Sequence, residues 1–250
     1  MLAAVTAPVD AGAWPQPRGE GLLISTTLLD RAEAAFDAAG DRREDGYFYK
    51  DELALYLEYG LSERLTLVSR LAWQTVERRS GPDFDSAQGF AATELGLRGL
   101  LMTGEHQVLS LQAMAILPGA GENISDQPLG DGGNAWEGRL LWGTSLGRDV
   151  FADAQLAYRR REDEFSDEAR LDLTLGWQPR PRWHLFAQSF SVWSLDDPRP
   201  GVREFEQHKL QVSIGREIGQ LEYHLGAALT PAGRNSIEER SVFLSVWRRF

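Results

Sequence analysis

The sequence predicts an all-β chain closed into a single antiparallel up-and-down transmembrane barrel of about twelve strands. Three observations carry that expectation. Hydropathy alternates with a period of two through most of residues 21–250, the alternating segments recur at even spacing, and short and long connections take turns along the chain. Successive side chains on a strand point to opposite faces, so period-two alternation marks a strand with one apolar face. Leu53, Leu55, Leu57, Tyr59 and Leu61 alternate with Glu52, Ala54, Tyr56, Glu58 and Gly60. The same rhythm sets Leu109, Leu111, Ala113, Ala115 and Leu117 against Ser110, Gln112, Met114 and Ile116. It returns in Leu171, Leu173, Leu175 and Trp177, and again in Leu210, Val212 and Ile214.

In chain order, the first strand is expected at 21–35, although Leu29 to Ala39 is alanine-rich and fits a helix as well. Strands at 46–60 and 64–77 flank a short turn at Leu61–Glu63, and 89–102 and 107–118 flank Thr103–His106. Strands at 134–145 and 150–162 flank Leu146–Asp149, and 168–178 and 183–195 flank Pro179–Arg182. The last three are expected at 208–217, 220–230 and 239–250, the first two joined at Ile218–Gly219. Longer polar loops are expected at 36–45, 78–88, 119–133, 196–207 and 231–238, with a smaller one near 163–167. Outer-membrane barrels carry short periplasmic turns and longer extracellular loops. An even strand number puts both chain ends on the short-turn side.

Composition limits the alternatives. The chain has 250 residues, 42% of them hydrophobic and 10% aromatic, which excludes a disordered polymer. With no cysteine there is no disulfide scaffold, thiol nucleophile or thiolate metal site. A net charge of -11 opposes binding to nucleic acid, whose phosphates need a basic face. No apolar run reaches the roughly 18 residues of a membrane helix.

Alternation alone leaves open which face points inwards. A soluble barrel, lipocalin-like carrier or β-sandwich buries its apolar face, whereas a membrane barrel turns it to lipid. Aromatic placement favours lipid. Tyr59, Trp142, Trp177, Trp183 and Tyr223 fall near the short-turn ends of their strands; Trp73, Trp136, Tyr158 and Trp193 fall near the long-loop ends. Two such girdles mark the two membrane interfaces. Trp247 lies on the opposite parity from Phe250. The final segment, SVFLSVWRRF, is an amphipathic strand closing on an aromatic residue, so Phe250 is expected to act as a C-terminal insertion signal.

The opposite register then lines the lumen. It carries Glu52, Glu58, Arg70, Glu94, Arg98, Glu137, Arg139, Asp153, Arg159, Arg161, Arg170, Asp172, Lys209, Glu222 and His224. Mixed signs two or four residues apart suit either a charged conduit that selects a solute or an ion-pair ladder that fills a narrow barrel. Twelve strands lie between the filled eight-stranded barrel and the open channel of sixteen to eighteen. The glycine-rich loop 119–133 is long enough to constrict the mouth.

Catalysis and metal binding have thinner support. The four histidines are His106, His184, His208 and His224. A two-residue turn at Ile218–Gly219 sets Ser213 opposite His224 beside Glu222, the one serine–histidine–acid neighbourhood available, with no nucleophile motif around it. Asp83 with Asp85, or Asp126 with Asp131, falls short of a calcium ligand set. No resident metal or cofactor is expected. At the start of the chain, Leu2 to Val9 is apolar and Val9-Asp10-Ala11 fits a signal-peptidase site, so residues 1–20 are expected to be a signal-peptide remnant or N-terminal segment before the barrel at 21–250.

The stretches AGAWPQPRGEGLLIS, FYKDELALYLEYGLSERLTLVSRLAWQ and LPGAGENISDQPLGDGGNAWEGRLLWGTSLG resemble proteobacterial outer-membrane proteins of the MetA-pathway phenol-degradation-like transporter group. The shared features are the Tyr-Gly-Leu-Ser hairpin followed by Leu-Thr-Leu, Pro-Gly after the fifth strand and Pro-Leu-Gly before the sixth. The resemblance implies passage of a hydrophobic or aromatic compound, or of an envelope polymer. The leading expectation is a narrow passive channel in the Gram-negative outer membrane for a small solute or exported molecule. A plugged barrel with a surface-interaction role and a hydrolase using Ser213 and His224 are the alternatives. Expected partners are outer-membrane lipid and lipopolysaccharide, the barrel-assembly machinery and an unknown solute or polymer, with no nucleic acid.

Overall fold

A computed structural model describes residues 12–44, 46–119, 134–162, 166–195 and 204–250. Twelve antiparallel strands form one closed sheet. They are β1 (Gly21–Ala32), β2 (Tyr47–Ser62), β3 (Leu65–Ser80), β4 (Asp83–Phe90 continuing as Thr93–Thr103), β5 (Gln107–Leu117) and β6 (Ala135–Ser145). They continue as β7 (Val150–Arg161), β8 (Glu168–Arg180), β9 (Trp183–Ser194), β10 (Glu206–Ile218), β11 (Leu221–Arg234) and β12 (Arg240–Arg249). Each strand pairs with its neighbours in sequence, and β1 pairs with β12 from Leu22↔Arg249 to Arg31↔Arg240. That last pairing leaves no open edge, as a lipid environment requires. Phe250 extends it: its N–H donates to the Gly21 carbonyl at 3.0 Å and its own carbonyl accepts from Gly21 N–H at 2.8 Å.

The outer wall carries the apolar register. Leu53, Leu111, Leu156, Leu175, Val212, Leu225 and Val242 are all exposed, whereas Glu58, Arg98, Glu137, Asp153, Glu168 and Glu222 are buried. A soluble protein distributes these residues the other way round. Exposure of contiguous leucine around a charged interior is the arrangement of a barrel dissolved in lipid. The predicted girdle residues Trp73, Trp136, Trp142, Tyr158, Trp177 and Tyr223 are exposed on that wall, and Tyr59, Trp183 and Trp193 are half-buried.

Two local expectations are corrected. Residues 78–88 are not a loop: β3 runs on to Ser80, and Asp83–Phe90 returns beside it with Arg78 opposite Asp85 and Arg79 opposite Phe84. Gly81 has φ +58° in the two-residue turn with Pro82, a conformation open to glycine without a Cβ penalty. The hydropathy signal fades because this hairpin is polar on both faces, so alternation no longer reports strand. Only Ala91 and Ala92 interrupt β4, whose lower part then pairs with β3 from Arg70↔Glu94 to Leu65↔Gly99. Secondly, the loops expected at 36–45 and 231–238 are partly strand: β11 runs on to Arg234, and the stretch Leu29 to Ala39, open between strand and helix in the sequence, holds no helix. Strand β1 ends at Ala32, and Ala35–Phe36 joins Arg42–Arg43 and Ser236–Ile237 in a small three-stranded sheet at the long-loop rim.

Candidate functional site

The lumen contains a second piece of chain. Residues 12–20 precede β1; residues 12–16 sit inside the barrel on the short-turn side, anchored by polar side chains of the inward register, and 17–20 are exposed where they lead into β1. Ala13 N–H donates to Asp153 Oδ2 at 2.9 Å, and Ser110 Oγ donates to the Ala13 carbonyl at 2.6 Å. Gln16 N–H donates to Thr66 Oγ1 at 2.9 Å, and the Gln16 amide donates to Glu58 Oε2 at 2.7 Å. Arg98 donates to the Trp14 carbonyl at 3.0 Å, to the Gly12 carbonyl and to Glu58. The apolar side of the plug rests on Val108 and Leu141, and Trp14 meets the Phe151 ring edge-on at 5.9 Å between centroids.

Two inward glycines make room for it. A Cβ on Gly60 would lie 1.9 Å from the Pro17 carbonyl oxygen, and one on Gly143 would lie 2.4 Å from the Trp14 ring. At Gly60 the obstacle is backbone: Gly19 N–H donates to the Gly60 carbonyl and Gly60 N–H donates to the Glu20 carbonyl. A larger residue there displaces the plug.

Every predicted lumen charge has a partner, and most belong to an ionic wall that runs round the barrel. Arg70 bridges Glu52 at 2.6 Å and Glu94 at 3.5 Å. Glu137 accepts from Arg139 at 2.9 Å and from Arg159 at 3.0 Å, and Arg139 also holds Asp172. Arg170 and Arg161 meet on Glu168, at 2.6 and 2.7 Å. Lys209 pairs with Glu239, which together with Asp30 also faces Lys50 at 3.8 and 3.4 Å. Asp30, Lys50, Glu168 and Glu239 were missed by the sequence reading; Glu168 shares a face with Arg170 two residues on and was accessible to it. Such pairing lets charges lie in a narrow interior, where an unpaired one is costly.

Beside the plug the lumen changes chemistry. A cavity of about 290 Å³ beside Gly12 is lined by the polar Gln155, Thr174, Gln188, Gln211 and Ser213, by the aromatic Phe151, Phe186, Phe243 and Trp247, and by the ionisable Asp153 and His224. Gln211 donates to Gln188 at 2.8 Å and Gln188 to Thr174 at 3.2 Å, a ladder of amides crossing three strands. Trp247, the aromatic on the unexpected parity, is inside and stacks on His224 at 4.6 Å.

The proposed serine–histidine arrangement is not formed as expected. The β10–β11 turn is Gly219–Gln220, with φ +66° at Gly219 and Ile218 opposite Leu221, one residue later than the sequence suggested. Ser213 therefore faces Gly226, and His224 faces Gly215. The Nε2 atom of His224 is engaged by Glu222 Oε1 at 2.6 Å. Below it, His184 and Glu217 approach Glu222 from β9 and β10, a convergence the sequence reading did not foresee. Two expectations lie outside the described residues: the cleavage motif Val9-Asp10-Ala11, and the constricting loop, of which only Gly119 is described.

By sequence, no family profile and no curated protein matches the chain. Solved structures do. An outer membrane channel from Pseudomonas putida F1 superposes with a TM-score of 0.80 at 16% identity, over 97% of this chain and 100% of that one. The KdgM porin, solved with disordered oligogalacturonate, gives a TM-score of 0.55 at 8% identity, over 92% and 99%. CymD, a monoaromatic hydrocarbon channel, gives 0.50 at 9% identity, over 94% and 91%. The chain thus has the fold of outer-membrane channels and porins, and its apolar outer wall is that of a barrel seated in the outer membrane of a Gram-negative cell.

Proposed function

We propose that this barrel is a narrow passive channel for a small solute that combines an aromatic or apolar face with hydrogen-bonding groups. The cavity carries this reading. At about 290 Å³ it is near the lower end of ligand pockets, roughly 300–1,000 Å³, and its lining mixes amides and hydroxyls with aromatic rings. A monocyclic aromatic with a hydroxyl or carboxyl group matches both kinds of side chain. The sequence resemblance to phenol-degradation-like transporters points to the same solute class, and CymD is a barrel of this fold that is a monoaromatic hydrocarbon channel. The ionic wall supplies selectivity through Arg139, Asp172 and their partners. The surrounding partners in this reading are lipid, lipopolysaccharide and the barrel-assembly machinery.

The plug favours a second reading, a closed barrel with a surface role, because Arg98, Asp153 and Ser110 all hold residues 12–16 across the lumen. Flux through proteoliposomes separates the two. Hydroxybenzoate, whose charge slows its passage through lipid, is expected to enter faster than an aliphatic acid of similar size, and Gln188→Leu with Gln211→Leu is expected to reduce that advantage. Equal exclusion of both solutes contradicts the channel and leaves the closed barrel.

A further inference from the structure

The periplasmic end of the lumen gathers a second set of groups whose chemistry is not that of solute passage. His184 leads β9, Glu217 closes β10 and Glu222 opens β11, so adjacent strand ends deliver one imidazole and two carboxylates to the same rim. His184 Nε2 lies 3.1 Å from Glu217 Oε1 and 3.7 Å from Glu222 Oε1. All three ligand atoms lie within 4.8 Å of one another, and among the described residues no other such group of histidine and carboxylates forms.

We propose that His184, Glu217 and Glu222 bind a divalent transition-metal ion of the zinc class. Zinc takes imidazole nitrogen and carboxylate oxygen at about 2.0–2.2 Å, which sets neighbouring tetrahedral ligands about 3.4 Å apart. The two histidine–carboxylate separations lie on either side of that value. An imidazole in the set selects zinc, nickel or copper over calcium and magnesium, which prefer oxygen alone.

The surroundings hold the ligands as a metal site requires. Glu222 is buried and fixed from two sides, by His224 Nε2 at 2.6 Å on Oε1 and by Arg249 at 3.2 Å on Oε2. His224 is in turn clamped by the Trp247 ring. Outer-sphere contacts of this kind orient a carboxylate toward its metal. His184 is buried, whereas the Glu217 side chain is 39% exposed and gives the ion a route from solvent. The three ligands supply two negative charges, partly balanced by Arg249, leaving room for a dication. A bound ion would tie together β9, β10 and β11 beneath the aromatic rings of the cavity.

The test uses the full chain, refolded in detergent without an affinity tag and titrated with zinc against a chromophoric chelator. One zinc per chain is expected, with affinity falling at least tenfold in Glu217→Gln and in His184→Ala. It should be unchanged in His106→Ala, which alters an exposed turn residue. Heat-modifiable gel mobility reports folding of each variant, and Glu217→Gln decides the matter because its side chain is not buried. Absence of zinc binding by the parent chain, or undiminished binding by folded Glu217→Gln, overturns the site.

Discussion

The backbone N–H of Ala13 donates to the carboxylate of Asp153 at 2.9 Å, joining the segment before the first strand to the wall of β7, 140 residues away. The lumen is therefore shaped by two parts of the chain, a rigid strand wall and a short tethered plug. The plug's backbone groups are satisfied by wall side chains, as buried peptide groups require. Its position leaves the 290 Å³ cavity along β7–β12 and β1.

Arg98 is the strongest single tether. Its guanidinium joins buried Glu58 to the Gly12 and Trp14 carbonyls. Removing one member of a buried ion pair strands the other charge. Arg98→Ala is expected to destabilise the barrel by about 3–5 kcal/mol in a urea titration. Arg98→Met combined with Glu58→Gln is expected to restore much of that loss. Equal stability of Arg98→Ala and the parent would show that the pair is not desolvated.

Gly60 tests the plug by steric exclusion. Gly60→Val puts a side chain where the Pro17 carbonyl lies and is expected to expel residues 16–18 while leaving the β2–β3 ladder intact. Hydrogen exchange at the Ala13 and Gln16 amides, which donate to Asp153 and Thr66 in the parent, should then quicken in the folded variant. Equal protection in both would place the plug elsewhere.

The orientation of the two faces predicts opposite costs for one substitution. Leu156 is exposed on the outer wall midway along β7, and Leu156→Arg is expected to cost about 2–4 kcal/mol in lipid. Ser213→Arg points into the cavity and is expected to cost less while reducing solute flux. Refolding titrations in lipid vesicles compare them, and a smaller penalty at Leu156 would reverse the assignment of faces.

At the long-loop rim, Asp37 accepts from Arg43 and from the N–H groups of Asp41 and Ala39. The Arg43 hydrogen bond and those backbone donors hold its carboxyl below the ordinary value. A depressed acid stabilises its surroundings above the unfolded-chain pKa of about 3.9 and loses that contribution as pH falls through the folded value. Amide exchange in residues 37–43 is expected to quicken as pH drops below about 4 relative to the intrinsic rate, and Asp37→Asn should show the faster exchange at neutral pH. Unchanged exchange in Asp37→Asn contradicts the assignment.

The barrel was legible in the sequence because lipid and lumen impose opposite polarity on alternate residues, and Leu171 to Trp177 shows it without interruption. The signal failed where both faces are wet, as in the Arg78–Asp85 hairpin. It also failed in the turn at Gly219–Gln220, where one residue of slip moved Ser213 away from His224. The lumen charges were found by parity, but their partners depend on register across strands, so Asp30 with Lys50 stayed hidden. The plug was invisible for another reason: residues 12–20 have no strand rhythm, and nothing local marks Gly60 and Gly143 as the places they fill.

Planar-bilayer conductance tests the central claim most directly, comparing the refolded parent with a variant lacking residues 12–20. The plugged-channel account predicts small discrete steps for the parent and several-fold larger steps for the variant, both folded by heat-modifiable mobility. Identical conductance in the two, or silence in both, would contradict it.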